Sequence, residues 1–203
     1  MSAYPVMLEG AGIAALVVGG GRVATRRALA LLGAGARVHV VAPRLAGELD
    51  AAAAREPALT LARREYAVGD VGDATLVVAA TDSREVNARV AADARALGRL
   101  VNVADAPDDG NCAVPATHRV GDLVIAVFAG GVPTAAARVR DCIAARFDAR
   151  YAPAIHGLRS LRARTLRERG TAAWRQAADA LTGADFCAAV ESGAFEERLA
   201  AWR

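Results

Sequence analysis

Residues 14–21, AALVVGGG, are a short apolar run that stops on three glycines. Behind them VATRRALALL (23–32) carries apolar residues at helical spacing, and Gly33 and Gly35 end it. A buried strand that enters a tight glycine turn and then a helix constrains the fold more than any other stretch of the chain. A second strand, RVHVVAP (37–43), follows at once. The first three elements therefore read as one βαβ unit with a parallel strand pair.

The alternation continues. LAGELDAAAARE (45–56) reads as a helix closed by Pro57, residues 59–64 as a weaker strand, and TLVVAA (75–80) as a clear fourth strand. SREVNARVAADARALG (83–98) is a helix capped by Ser83 and ended by Gly98, and LVNVAD (100–105) is the fifth strand. Near-continuous apolar strands between helices predict a parallel sheet covered on both faces, an α/β, Rossmann-like domain over residues 1–115. The pattern then changes. APDDGNCAVP (106–115) is loop-like, GDLVIAVF (121–128) is a strand, and TAAARVRDCIAARFD (134–148) a helix. These form a small α/β segment over 116–150. From Pro153 no strand is visible, and 155–203 read as two or three helices broken at Gly170 and Gly183, a helical domain over 151–203.

Within the turn, Gly19-Gly20-Gly21-Arg22-Val23-Ala24 matches G-x-G-x-x-G/A in the first βα turn. Gly19 permits the sharp turn, Gly21 lets a pyrophosphate approach the backbone, and Ala24 keeps helix and sheet close. The helix N-terminus offers amide donors to phosphates, so the unit is read as dinucleotide-binding. The acid that usually grips the adenosine ribose is missing after the second strand, where Ala42-Pro43-Arg44 stands. Arg44 either faces a 2′-phosphate or stacks on adenine, which leaves NAD and NADP both open on the residues alone.

Ligands of open α/β sheets bind at the carboxyl edge of the strands. The fourth and fifth strands end in Thr81 and in Asn102-Val103-Ala104-Asp105, which puts Thr81 and Asn102 within reach of ribose or amide groups. Asp105 is the carboxylate best placed to act as a general base, or else a turn-forming Asp before Ala-Pro.

Composition narrows the chemistry. All 25 basic residues are arginine, so Schiff-base, P-loop and Ser-Lys chemistry are excluded. The formal charge is only +3, and no aromatic interleaving or nucleic-acid motif accompanies it, so no nucleic-acid partner is expected. Three well-separated cysteines (Cys112, Cys142, Cys187) make neither a disulfide framework nor a CxxC metal site. No basic leader and no long apolar span is visible, which predicts a cytoplasmic protein without a membrane partner.

Taken together, VVGGGRVATRRALALLGAGARVHVVAP, LVVAATDSREVN, VNVADAP, CAVPA and GDLVIAVFAGG stand in one order over about residues 5–148. This series resembles the precorrin-2 dehydrogenase/sirohydrochlorin ferrochelatase family, whose module also forms the N-terminal part of siroheme synthase. The resemblance implies NAD-dependent oxidation of the tetrapyrrole precorrin-2 to sirohydrochlorin, with Fe²⁺ insertion in the same site as a further activity. It assigns cofactor contacts to Gly19, Gly20, Gly21, Arg22, Val23, Pro43 and Arg44, and proton transfer to Asp105. Because the family binds NAD without the ribose acid, it also implies NAD. A homodimer joined through about 116–150 is implied as well. No resident metal site is expected, iron being a substrate.

The family's hydroxyl residues around the double glycine are replaced here by Phe128-Ala129-Gly130-Gly131-Val132-Pro133-Thr134. This puts the chelatase step in question and motivates the alternative of a non-catalytic NAD- or tetrapyrrole-binding sensor. His39 reads as a core or edge residue, and His118 and His156 as weak candidates to guide iron. Arg159, Arg162, Arg164, Arg167, Arg169 and Arg175 cluster in the tail. They read either as a solvated helix face or as a patch that draws in a polycarboxylate.

Overall fold

A computed structural model of the chain describes residues 3–202. Five strands, β1 (Ala14–Val18), β2 (Arg37–Val41), β3 (Leu59–Ala62), β4 (Leu76–Ala79) and β5 (Leu100–Val103), form one all-parallel sheet in the order β3-β2-β1-β4-β5. The order reverses at β1, which is where α/β sheets open a crevice. Register makes that crevice level: Val18 pairs with both Val41 and Ala79, and Ala79 with Val103, so four strands end in one row.

The strands are apolar along their length because both faces are covered. On one face Ala24 and Ala28 of α1 (Arg22–Gly33) and Leu49 and Ala52 of α2 (Gly47–Ala53) pack on Val17, Val38, Val40 and Val78. On the other, Val90, Ala91 and Ala94 of α3 (Arg84–Ala96) cover Leu16, Val77, Val101 and Val103. The small alanine faces of α1 and α3 let the helices approach the sheet closely, the use this Ala-rich chain makes of its composition.

Between β3 and β4 the alternation lacks a helix. Residues 63–75 run as turns, and Tyr66, Val71 and Ala74 supply the apolar cover that a helix would have given. Polar contacts pin this crossover. Nη1 and Nη2 of Arg64 donate to Asp70 Oδ2 and Oδ1, each at 2.7 Å, Ala67 N–H donates to Asp70 Oδ2 at 2.9 Å, and the Tyr66 hydroxyl donates to Asp93 Oδ2 at 2.7 Å. The Arg64 partner holds the Asp70 carboxyl below the usual carboxylate range. Burial, reinforced by the bond to Asp93, raises the Tyr66 phenol well above its ordinary value.

The chain divides into two compact units, one ending at Val114 and one beginning at Pro115. The segment expected as a lone strand is a hairpin: β6 (Ala116–Val120) and β7 (Leu123–Val127) pair antiparallel around Gly121-Asp122. Gly-Asp between two β-prone runs is the hairpin signal that reading the segment as loop-then-strand passed over. Helix α4 (Pro133–Arg146) follows. The tail then forms four helices, not two or three: α5 (Tyr151–Glu168), α6 (Gly170–Leu181), α7 (Phe186–Ser192) and α8 (Ala194–Ala200). Helix α5 runs through Pro153, which sits in the first turn where no intrahelical N–H is required. The extra break falls at Gly193. Val120, Leu123 and Phe147 pack against the same core as Tyr151, Leu161, Leu181 and Phe195, so the central segment and the helical tail share one interior. Glu191 ties this unit together, its Oε1 accepting from Arg146 Nε (2.7 Å) and from the Tyr151 hydroxyl (2.9 Å). Among the described residues no helix is long and apolar enough to cross a membrane.

Candidate active site: the crevice at the carboxyl edge of the sheet

A cavity of about 660 Å³ opens at the strand ends of the N-terminal unit. Its floor is the glycine turn, one wall is Val41 at the end of β2 with the 42–46 segment that follows, and the other is Thr81, Asp82 and Ser83 before α3. The three glycines are needed for three different reasons. Gly19 has φ +127°, and a Cβ there would lie 2.3 Å from the Ala80 carbonyl oxygen. A Cβ on Gly20 would lie 1.9 Å from the Arg44 carbonyl oxygen, a closeness that lets Ala46 N–H donate to Gly20 O at 3.2 Å. A Cβ on Gly21 would meet nothing within 4 Å. Only a ligand passing over that point would object to a side chain.

Gly21 is also the N-cap of α1, and no side chain caps this helix end. By contrast α3 is capped, Val86 N–H donating to Ser83 Oγ at 3.3 Å. An uncapped helix start beside open space fits the pyrophosphate of a dinucleotide. Of the residues singled out in the sequence, Gly19, Gly20, Gly21, Pro43, Arg44 and Thr81 line this cavity. Arg22 and Val23 open α1 with exposed side chains and are not part of the wall.

Asn102 does not line this cavity; its buried side chain donates to the Cys112 carbonyl at 3.2 Å. The reason is strand alternation: Val101 and Val103 point into the α3 face, so Asn102 points the other way. The 106–115 loop returns along the β5 edge, where Asn111 N–H donates to Val101 O at 2.9 Å and Asn111 Oδ1 accepts from Val101 N–H at 2.7 Å. Asn102 thus helps cover an otherwise open sheet edge.

Asp105 stands exposed two residues beyond β5, outside the cavity wall proper. It is joined to the wall by a residue the sequence reading did not single out. Asn87 on α3 is 1% exposed, and its Nδ2 donates to Asp105 Oδ1 at 2.8 Å. Its Oδ1 accepts from Thr81 N–H at 3.0 Å, and its Nδ2 also lies 3.2 Å from Thr81 O. An Asn one turn after a Ser cap, on the face that buries Val90, Ala91 and Ala94, was the available signal. Also unforeseen are Tyr66, Glu65 and Arg89 at the far end of the cavity, where the Arg89 guanidinium lies 5.6 Å from the Tyr66 ring centre.

The histidines are committed elsewhere. His39 Nδ1 lies 2.8 Å from Thr60 Oγ1 across β2 and β3, and His118 Nε2 lies 2.6 Å from the Phe147 carbonyl oxygen. His156 and Arg159 both approach Asp122, at 3.5 and 2.9 Å. In the tail cluster Arg164 donates to Trp202 O and Arg167 pairs with Glu168, whereas Arg162, Arg169 and Arg175 are exposed.

Comparison with known proteins fits this geometry. Residues 6–116 match the model of a family described as "Putative NAD(P)-binding". The chain is 40% identical over 152 residues to the siroheme synthase of Ectopseudomonas mendocina and 43% identical over 152 residues to that of Chromobacterium violaceum. In both cases 74% of this chain is covered and 32% of the relative, so the chain spans about a third of the curated relatives it matches. A solved structure titled "SirC, precorrin-2 dehydrogenase" superposes with a TM-score of 0.79 at 27% identity, covering 98% of this chain and 100% of that one. The chain belongs to the precorrin-2 dehydrogenase/siroheme synthase family. The glycine turn and the segment after β2 meet in one cavity, in the part of the chain that the family model covers.

Proposed function

We propose that this chain catalyses the NAD-dependent dehydrogenation of precorrin-2 to sirohydrochlorin. The observation that carries the reading is the likeness along the whole chain to a structure titled precorrin-2 dehydrogenase. The cavity with its uncapped helix start and the adjacent Asp105 carboxylate supports it.

When bound, NAD supplies the hydride acceptor. The chain's own residues do the rest. The α1 amides and Gly21 would hold the NAD pyrophosphate, and Pro43, Arg44 and Thr81, which line the same cavity, would contact the rest of the cofactor. Precorrin-2 gives up one hydride and one proton, and Asp105 takes the proton at a carboxylate oxygen not engaged by Asn87. The sum is sirohydrochlorin, NADH and H⁺. The same carboxylate would accept pyrrole N–H protons as Fe²⁺, a substrate, enters sirohydrochlorin. Among the described residues no group of three His, Cys, Asp or Glu is arranged to hold an ion.

The second unit supplies a dimer interface in this reading. Phe128, Val132 and Val139 are 42%, 53% and 47% exposed on the hairpin, turn and helix of residues 116–150. The exposed Arg162, Arg169 and Arg175 favour docking of a substrate bearing eight carboxylates. Three cysteines outside any disulfide accord with a cytoplasmic enzyme.

The decisive assay is anaerobic incubation with precorrin-2 and NAD, with NADP and with Fe²⁺ in parallel. Formation of sirohydrochlorin and equimolar NADH is the expected result. Tight binding of NAD or sirohydrochlorin without turnover would replace the reading with that of a sensor.

A further inference from the structure

We propose that Asn87 is the positioning residue of this site, one buried amide that holds the Asp105 carboxylate in fixed relation to the Thr81 wall of the cofactor cavity. The proposal deepens the reading above and rests on it for the role of Asp105.

Asn87 projects from the first turns of α3 into the gap between the ends of β4 and β5, the two strands that carry Thr81 and Asp105 beyond their ends. Its amide has one workable orientation. Thr81 N–H is a donor and must face Oδ1, while the Asp105 carboxylate accepts and must face Nδ2. The two hydrogens on Nδ2 are then both used, one on Thr81 O at 3.2 Å and one on Asp105 Oδ1 at 2.8 Å. Oδ1 accepts from Thr81 N–H at 3.0 Å and lies 2.8 Å from Thr81 Oγ1.

The Thr81 contacts alone would be an ordinary structural use of a buried Asn. The contact to Asp105 is different. That residue is exposed, so water would solvate its carboxylate without help from the protein. The bond satisfies the second hydrogen of an amide that is 1% exposed, which any acceptor could have done. Using the Asp105 carboxylate for it also fixes which way that carboxylate turns, against the same turn that lines the cofactor cavity. A shift of the α3 start therefore moves cofactor wall and proton acceptor together.

The test is a mutant cycle read on four quantities: kcat, KM for precorrin-2, Kd for NAD by calorimetry, and Tm. Asn87→Asp keeps the shape and the acceptor for Thr81 N–H but sets a second carboxylate against Asp105. It is expected to lower kcat about 100-fold, the scale of a misplaced reacting group, with the NAD Kd changed by about twofold or less. In an Asp105→Ala background the same substitution should cost no further kcat, because its effect runs through Asp105. The exchange Asn87→Asp/Asp105→Asn restores a donor–acceptor pair between the two positions but leaves a carboxylate oxygen facing Thr81 O, so it should recover part of the Tm lost in Asn87→Asp and none of the kcat. An unchanged kcat in Asn87→Asp, an effect additive with Asp105→Ala, or a loss that lies wholly in NAD Kd would each overturn the proposal. Should the unmodified chain turn over no precorrin-2, the functional reading fails by itself. The cycle in Tm then decides the coupling, and additive Tm shifts at 87 and 105 would overturn it.

Discussion

Three consecutive glycines, replaced one at a time by alanine, are expected to fail in different ways. At Gly20 the new Cβ would sit 1.9 Å from the Arg44 carbonyl oxygen, a backbone atom that cannot swing aside. Forcing the 43–46 segment away is an overpacking problem, with a cost of about 1–3 kcal/mol. Gly19→Ala adds the same kind of clash, 2.3 Å from Ala80 O, to a φ of +127° that L-residues avoid. Gly21→Ala is the informative case. Its φ of −81° and ψ of −176° suit any residue, and the Cβ meets nothing within 4 Å. Losing Gly at an N-cap costs a few tenths of a kcal/mol to about 1, and the stiffer unfolded chain returns about 0.4–1. The two nearly cancel, so Tm should stay within about 2 °C. NAD affinity should nonetheless fall at least about tenfold, equivalent to about 1.4 kcal/mol, because the methyl occupies the path of the pyrophosphate. Thermal unfolding and calorimetric titration with NAD measure both. If Gly21→Ala binds NAD as the unmodified chain does, the pyrophosphate does not pass over Gly21 and the placement of the cofactor is wrong. If its Tm drops as far as that of Gly20→Ala, the distinction between packing and binding glycines is wrong.

Removal of the proposed base, Asp105→Ala, should lower kcat by about 10²–10⁴-fold and leave the NAD Kd unchanged; undiminished turnover would take Asp105 out of the mechanism. The crossover over 63–75 should weaken in acid. Arg64 lowers the Asp70 carboxyl in the folded state, so its stabilisation is complete above the ordinary aspartate pKa, about 4, and is lost as pH falls through the lower folded value. Asp70→Asn should therefore flatten the Tm-versus-pH curve below about pH 4, and an unaltered slope there would show that the pair contributes nothing. For the proposed dimer, the unmodified chain should sediment as a dimer and Val139→Glu, at a side chain 47% exposed, as a monomer; an unmodified chain that sediments as a monomer would remove the dimer, and a Val139→Glu dimer would place its interface elsewhere.

Much of the site was legible because its causes are local. A glycine with positive φ, an uncapped helix start and a strand ending on polar residues are written in consecutive residues, so Gly19, Gly21 and Thr81 could be placed from the chain alone. The side-chain direction of Asn102 was not legible, for an equally definite reason. Its position at a strand end was right, but which face a strand residue shows depends on the sheet and on the loop returning along its edge, and that loop takes its side chain. The hairpin at Gly121-Asp122 was within reach of local rules, whereas the helix-free crossover depended on Tyr66 finding Asp93 on α3, 27 positions away.

The order of apolar runs and glycines therefore determined a parallel α/β sheet with a nucleotide-binding turn, since periodicity and backbone conformation are properties of short segments. The tertiary structure alone decided how Asp105 is held. Asn87 meets Thr81 and Asp105 only because β4 and β5 end in register and α3 packs its alanine face against them. The Ser83 cap and the apolar spacing of α3 mark Asn87 as buried, but its partners 6 and 18 positions away are chosen by packing alone.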